Sequence, residues 1–180
     1  LCILDEIQTG LGRTGQLFAG QHEDVKPDLV IIGKALSGGF YPVSAVLGSR
    51  ELMGLFTPGE HGSTFGGNPL GAAVARASLR VIAEEKLVEN SAKMGEYFLD
   101  QLSEIPSPHI KEVRGKGLLI GVELKDEAGG ARRFCEALKS RGILAKETHG
   151  SIIRFAPPLI IDQATLDWAL PRIREVLLMP

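Results

Sequence analysis

Leu1-Cys2-Ile3-Leu4-Asp5 and Leu29-Val30-Ile31-Ile32-Gly33-Lys34 are two apolar runs that each end on a charged residue. Short continuous apolar runs with β-branched residues read as buried strands of a parallel sheet. Ligands of such sheets sit outside the carboxyl ends of the strands. Asp5 and Lys34 are therefore expected at the rim of one crevice, a carboxylate and an amine aimed at a shared ligand. As plain strand ends they would be a solvated lysine and a carboxylate paired with a neighbouring base. The position of Lys34 between a buried strand and the Gly38-Gly39 turn argues for more. A lysine drawn out of bulk water loses its proton more easily and becomes a usable nucleophile.

At 180 residues, 44% hydrophobic and 23% charged, the chain is long enough for one or two small domains. A net charge of −2 gives no reason to expect nucleic acid or an anionic membrane as partner. No apolar stretch approaches the roughly 20 residues that span a bilayer, and there is no signal-peptide pattern. Cys2 and Cys135 lie inside apolar runs, which suits reduced core thiols in a cytoplasmic protein. His22, His61, His109 and His149 have no metal-ligand spacing, so no metal site is expected. The chain starts without Met and directly in a strand, and is read as the later part of a longer polypeptide. A mitochondrial location of that longer protein stays open.

Outward from the two runs, Gly10-Leu11-Gly12-Arg13-Thr14-Gly15 spells G-x-G-x-x-G. A dinucleotide fingerprint turns directly from strand into helix. Here Asp5 to Thr9 intervene and Gln16 to Asp28 keeps no helical period, so a flexible loop shaping the crevice is the better reading. A nucleotide-binding oxidoreductase stands or falls with it. Val43 to Leu47 is strand-like. In Gly62-Ser63-Thr64-Phe65-Gly66-Gly67-Asn68-Pro69, hydroxyls beside glycines offer donors suited to phosphate, although the same pattern serves a mere capped loop. Asn68 is a good N-cap and Pro69 fits the first helical turn. Leu70, Ala73, Val74, Ala77, Val81 and Ile82 keep helical spacing after it.

A second helix is expected over Leu87 to Ile105, ended by Pro106 and Pro108, where a hinge is anticipated. The rest reads as a compact α/β unit. Gly117 to Leu124, Ile143 to Lys146 and Ile152 to Phe155 suggest strands, and Ala131 to Arg141 a helix. A last helix starts near Asp162, with Pro171 expected to kink or split it. Mid-strand Arg154 is suited to a carboxylate, though alternation alone favours a plain outward-facing arginine. His149 reads as a turn residue.

Leu4 to Gly10, Gly33 to Val46, Gly59 to Gly71, Arg114 to Leu119 and His149 to Pro158 together resemble the class III pyridoxal-phosphate aminotransferases, in order and in spacing. The resemblance implies an α/β chain. Residues 1–87 would be part of a mainly parallel-sheet, PLP-binding large domain of fold type I, and residues 88–180 a small C-terminal α/β domain. It implies pyridoxal 5′-phosphate as cofactor, with Lys34 as the Schiff-base lysine that also moves the substrate proton. Asp5 would pair with the pyridinium nitrogen, a charge-assisted bond of roughly 1.5–3 kcal/mol. Fully expressed in the transition state, that is about one to two decades of rate. Gln8 would bond the phenolic oxygen. Ser63 and Thr64 would reach the phosphate in a neighbouring subunit, hence a homodimer with a shared active site. Arg154 would bind a substrate carboxylate, the substrates being amino acids and 2-oxo acids. The family's first half is missing, so this piece is expected to be inactive or barely active alone. A noncatalytic structural subunit is the alternative of another class, and the filled catalytic positions argue against it.

Overall fold

β1 (Ile3–Asp5) and β2 (Leu29–Ile32) form on the two apolar runs and pair in parallel, Ile3 beside Leu29 and Asp5 beside Ile31. β3 (Ala45–Gly48) then pairs with β2 in the opposite sense, Ile32 beside Ala45. The three strands, in the order β1-β2-β3, thus form a mixed sheet with one parallel and one antiparallel pairing. The path of the connection decides this. A parallel return runs back along the sheet through a crossover, usually a helix. Between β2 and β3 the chain makes only a 3-10 turn, Lys34–Ser37, and reverses through Gly38 and Gly39, both at positive φ.

The computed structural model describes residues 1–180, which divide into two units, Leu1–Val88 and Glu89–Pro180. In the first, a short helix α1 (Arg50–Met53) follows β3, capped by the Ser49 hydroxyl. α2 (Pro69–Glu84) starts as expected, with Asn68 Oδ1 accepting from the Gly71 amide at 2.7 Å. Its helically spaced apolar residues are unevenly covered in this chain. Leu70 is 58% exposed and Val81 43%, whereas Ile82 is buried. The helix is held instead through a polar contact, Ser78 Oγ donating to the Ala35 carbonyl at 3.0 Å.

α3 (Leu87–Ser103) opens near the division and runs into the second unit. There β4 (Ile110–Lys116), β5 (Leu119–Leu124), β6 (Lys146–Thr148) and β7 (Ile152–Phe155) form an antiparallel sheet in the order β4-β5-β7-β6. α4 (Arg132–Lys139) and α5 (Gln163–Leu177) complete the unit. Inward residues Ile120, Val122, Ile153 and Phe155 alternate with outward Gly121, Glu123, Ile152 and Arg154 and pack into one core with Phe98, Phe134 and Leu138. Gly95 of α3 lies so close to Gly117 that a Cβ would come within 2.2 Å of its backbone. Only glycine permits that approach.

Several sequence expectations are corrected here. Pro106 and Pro108 mark no hinge, because the segment is tied into the second unit. The Ser107 hydroxyl donates to the Leu177 carbonyl, and the His109 ring lies 2.8 Å from the Met179 carbonyl. Pro171 sits inside a single helix without splitting it. It is exposed, so the backbone acceptor it leaves unmatched one turn earlier faces water. The third strand lies at Lys146–Thr148 rather than Ile143–Lys146. Cys2 is exposed and only Cys135 is buried, both as free thiols. No helix is long and apolar enough to cross a membrane.

Candidate active site

The parallel pairing of β1 and β2 brings the carboxyl ends of both strands to one sheet edge, with Asp5 as the last residue of β1 and Lys34 just past β2. The turn after β1 is fixed by Glu6, a carboxylate only 3% exposed. Its amide donates to the Ile31 carbonyl at 2.9 Å, and its own carbonyl accepts from the Gly10 amide at 2.9 Å. Its side chain accepts from the Thr9 hydroxyl and, at 2.9 Å, from the Gly20 amide. A Cβ on Gly10 would lie 2.8 Å from the Glu6 carbonyl oxygen, so the turn closes only with glycine there. Asp5 Oδ1 accepts from the Ile7 amide at 3.1 Å, which orients the carboxylate at the strand end.

The clamped turn presents Gln8 to the lysine. Lys34 Nζ donates to Gln8 Oε1 at 3.0 Å. A neutral acceptor orients the amine without adding a charge beside it. Lys34 itself has φ 43°, in the left-handed region that side chains other than glycine adopt at a cost. Its turn is buttressed by α2 through the Ser78 contact with Ala35.

An open cleft of about 540 Å³ adjoins the lysine, lined by Lys34, Tyr41, Ser44, Ser63, Asn68 and Gly71 among others. Ser63 thus faces the same cleft as Lys34 within one chain, and its Oγ accepts from the Gly66 amide at 2.9 Å. Thr64 lies beside it in an exposed loop. His61 stacks at 5.7 Å from Phe56, and no group of metal-ligating residues gathers anywhere in the chain. Arg154 belongs to the second unit, half-buried in β7 between β5 and β6.

The Gly10–Gly15 stretch is neither a nucleotide loop nor a flexible one. Gly10, Leu11, Gly12 and Thr14 are buried, the Leu11 amide donates to the Leu17 carbonyl at 2.7 Å, and the His22 ring lies 3.0 Å from the Thr14 carbonyl. Sequence reading missed Glu6 and Ser78 as supports of the site. The available signal at Glu6 was a second acid directly after Asp5 and ahead of Thr9 and Gly10, more negative charge than one strand end needs.

Amine, carboxylate and amide at one edge of an α/β sheet define a class, and comparison with known proteins names it: the chain belongs to the class III aminotransferases, whose family model matches residues 1–177. More particularly, it is similar to the ornithine aminotransferase of Bacillus subtilis, 57% identical over 177 residues, 98% of this chain and 43% of that protein. The ornithine aminotransferase of Bordetella pertussis is 54% identical over 175 residues, 97% of this chain and 42% of the other. The chain thus spans less than half the length of these relatives. Among solved structures, the ornithine aminotransferase of Toxoplasma gondii superimposes with TM-score 0.92 at 46% identity, covering 98% of this chain and 42% of that one. That crystal structure shows partial occupancy of PLP at its active site. The acetylornithine aminotransferase of Elizabethkingia anophelis gives TM-score 0.92 at 49% identity, covering 98% and 47%.

Proposed function

We propose that this chain is the lysine-bearing part of a PLP-dependent aminotransferase that converts ornithine and 2-oxoglutarate to glutamate 5-semialdehyde and glutamate. The observation that carries the reading is the 3.0 Å contact of Lys34 Nζ with Gln8 Oε1 at the sheet edge that also holds Asp5. Pyridoxal phosphate calls for an amine to hold its aldehyde carbon, an acid for its ring nitrogen and a donor for its phenolic oxygen. Lys34, Asp5 and Gln8 are those residue types, so the donor set fits.

When bound, the cofactor supplies an electron sink for the pair left behind as a proton leaves the reacting carbon. Lys34 Nζ would take that proton and hand one back at the carbon beyond the linking nitrogen, a general acid–base role worth about 10²–10⁴-fold. Asp5 holds the ring nitrogen protonated. Gln8 keeps the amine oriented, and Ser63 and Thr64 supply hydroxyl donors for the phosphate in a homodimer. Arg154 receives a substrate carboxylate as a planar fork of donors. The piece alone, with under half the relatives' length, is expected to be inactive or barely active.

Borohydride reduction of the cofactor-loaded full-length protein, followed by peptide mapping, is expected to leave a pyridoxyl adduct on Lys34. Label on another lysine overturns the assignment. Lys34→Ala should lose transamination by at least about 10²-fold while still binding cofactor noncovalently. The likeness to an acetylornithine aminotransferase favours a second reading, N-acetylornithine as donor. Rates with ornithine, N-acetylornithine and 4-aminobutyrate on the full-length protein separate the readings.

A further inference from the structure

Glu6 sits between Asp5 and Gln8, the two residues assigned above to the ring nitrogen and the phenolic oxygen of the cofactor. The inference rests on that assignment of Gln8. Glu6 is the one acidic side chain buried in the chain, 3% exposed, and further polypeptide around it can only lower that exposure. Burying a carboxyl group is costly unless its oxygens are hydrogen-bonded, and here both are. Oε2 accepts from the Thr9 hydroxyl, and Oε1 from the Gly20 amide at 2.9 Å.

These bonds join three segments. Thr9 directly follows Gln8, so the carboxyl group closes a ring of chain from Glu6 to Thr9 with Gln8 inside it. The Glu6 carbonyl closes the same stretch again by accepting from the Gly10 amide at 2.9 Å. Gly20 fastens the ring to the loop that precedes β2. Glycine keeps that approach clear, since a Cβ at position 20 would press on Leu4 Cδ1 at 2.4 Å. The Glu6 amide, donating to the Ile31 carbonyl at 2.9 Å, fastens the ring to β2, the strand that leads to Lys34. The Gln8 turn and the lysine are thereby set against one another, and Lys34 Nζ meets Gln8 Oε1 at 3.0 Å.

We propose that Glu6 is a positioning residue of the transamination site: its carboxyl group, held by Thr9 and Gly20, sets the Gln8 amide where it meets the cofactor's phenolic oxygen. Glu6 acts through Gln8 and by shape rather than charge. A glutamine at position 6 preserves the arrangement. Its side-chain oxygen accepts from the Gly20 amide, and its amide donates to the Thr9 hydroxyl oxygen.

The test is a set of full-length variants loaded with pyridoxal phosphate. The readouts are the cofactor dissociation constant, the pH midpoint of its visible absorbance change, and thermal unfolding. Gln8→Ala should weaken cofactor binding on the order of tenfold, as for one lost hydrogen bond, and move the midpoint. Glu6→Ala should do the same in the same direction, while Glu6→Gln stays within about twofold of the parent. In the Gln8→Ala background, Glu6→Ala should add less than about twofold, because a residue acting through another is not additive with it. Factors that multiply instead overturn the proposal, as does a parent midpoint in Glu6→Ala where Gln8→Ala moves it. A Glu6→Gln variant as impaired as Glu6→Ala makes charge the agent and overturns it too. Should Glu6→Ala fail to fold, Thr9→Val carries the same comparison: weaker binding is expected, with Thr9→Ser restoring the parent. A parent-like Thr9→Val beside an impaired Gln8→Ala sinks the proposal. If Gln8→Ala itself binds and absorbs like the parent, the assignment of Gln8 is what fails.

Discussion

In the second unit, apolar side chains from α3, α4, α5 and the sheet close into one core, with Leu102, Leu118, Phe134 and Leu177 at 0% exposure. In the first, only Leu11, Ile32, Leu36, Ile82 and Leu87 are buried apolar residues, while Ile3 and Val46 of its sheet stand 53% and 48% exposed. Burial of one large aliphatic side chain contributes roughly 1.5–3 kcal/mol. Stability intrinsic to the chain therefore resides in the second unit. Asp5, Gln8 and Lys34 all sit on the first. There the geometry is held by polar clamps, Glu6 on its turn and Ser78 on Ala35, rather than by packing. The first unit's sparse core is that of a chain spanning under half the length of its relatives.

The strongest way to break this contrast is to separate the units. A polypeptide of residues 86–180 should unfold cooperatively in urea, and one of residues 1–88 should show no cooperative transition. A sharp transition in the latter would refute the difference. A smaller effect comes from single truncations. Phe134→Ala should destabilise residues 86–180 by about 3–5 kcal/mol, as for a fully buried aromatic. Leu144→Ala, 85% exposed in the same polypeptide, should cost under about 0.5 kcal/mol in the same urea titration.

The smallest effect is electrostatic. Glu123, Glu175 and Asp162 are held below their ordinary carboxyl pKa values, by Lys111 and Arg114, by Arg141, and by the Thr165 hydroxyl and amide respectively. A carboxyl with a folded-state pKa below its unfolded one stabilises above the unfolded value, about 4. That contribution is lost as pH falls through the depressed folded value. Acid titration of residues 86–180 should show this decline, and Glu123→Gln should flatten it. Because these groups lie at the surface, the difference should shrink in 1 M salt.

Local chemistry made part of this legible. Asn68-Pro69 and Asp162 announce helix starts by capping, and both caps form. The charged ends of β1 and β2 were readable because each apolar run stops at a polar residue, although β1 itself is largely exposed in this chain. β4 was not readable. Lys111, Glu112, Arg114 and Lys116 face outward, and a register shift between Ile110 and Glu112 interrupts alternation. α2 misled for the opposite reason, since apolar spacing tells which residues share a face and not whether anything covers it. The pairing sense of β3 was hidden because it depends on the path of the connection, which makes a 3-10 turn at Lys34–Ser37 rather than a crossover helix. The buried clamp at Glu6 depends on Gly20, which reaches it from across a loop.

At position 34 the backbone bends the way glycine bends. Swapping in glycine would ease the main chain and silence the amine at once. Selection for a sturdier protein and selection for a reactive one therefore pull this single site in opposite directions.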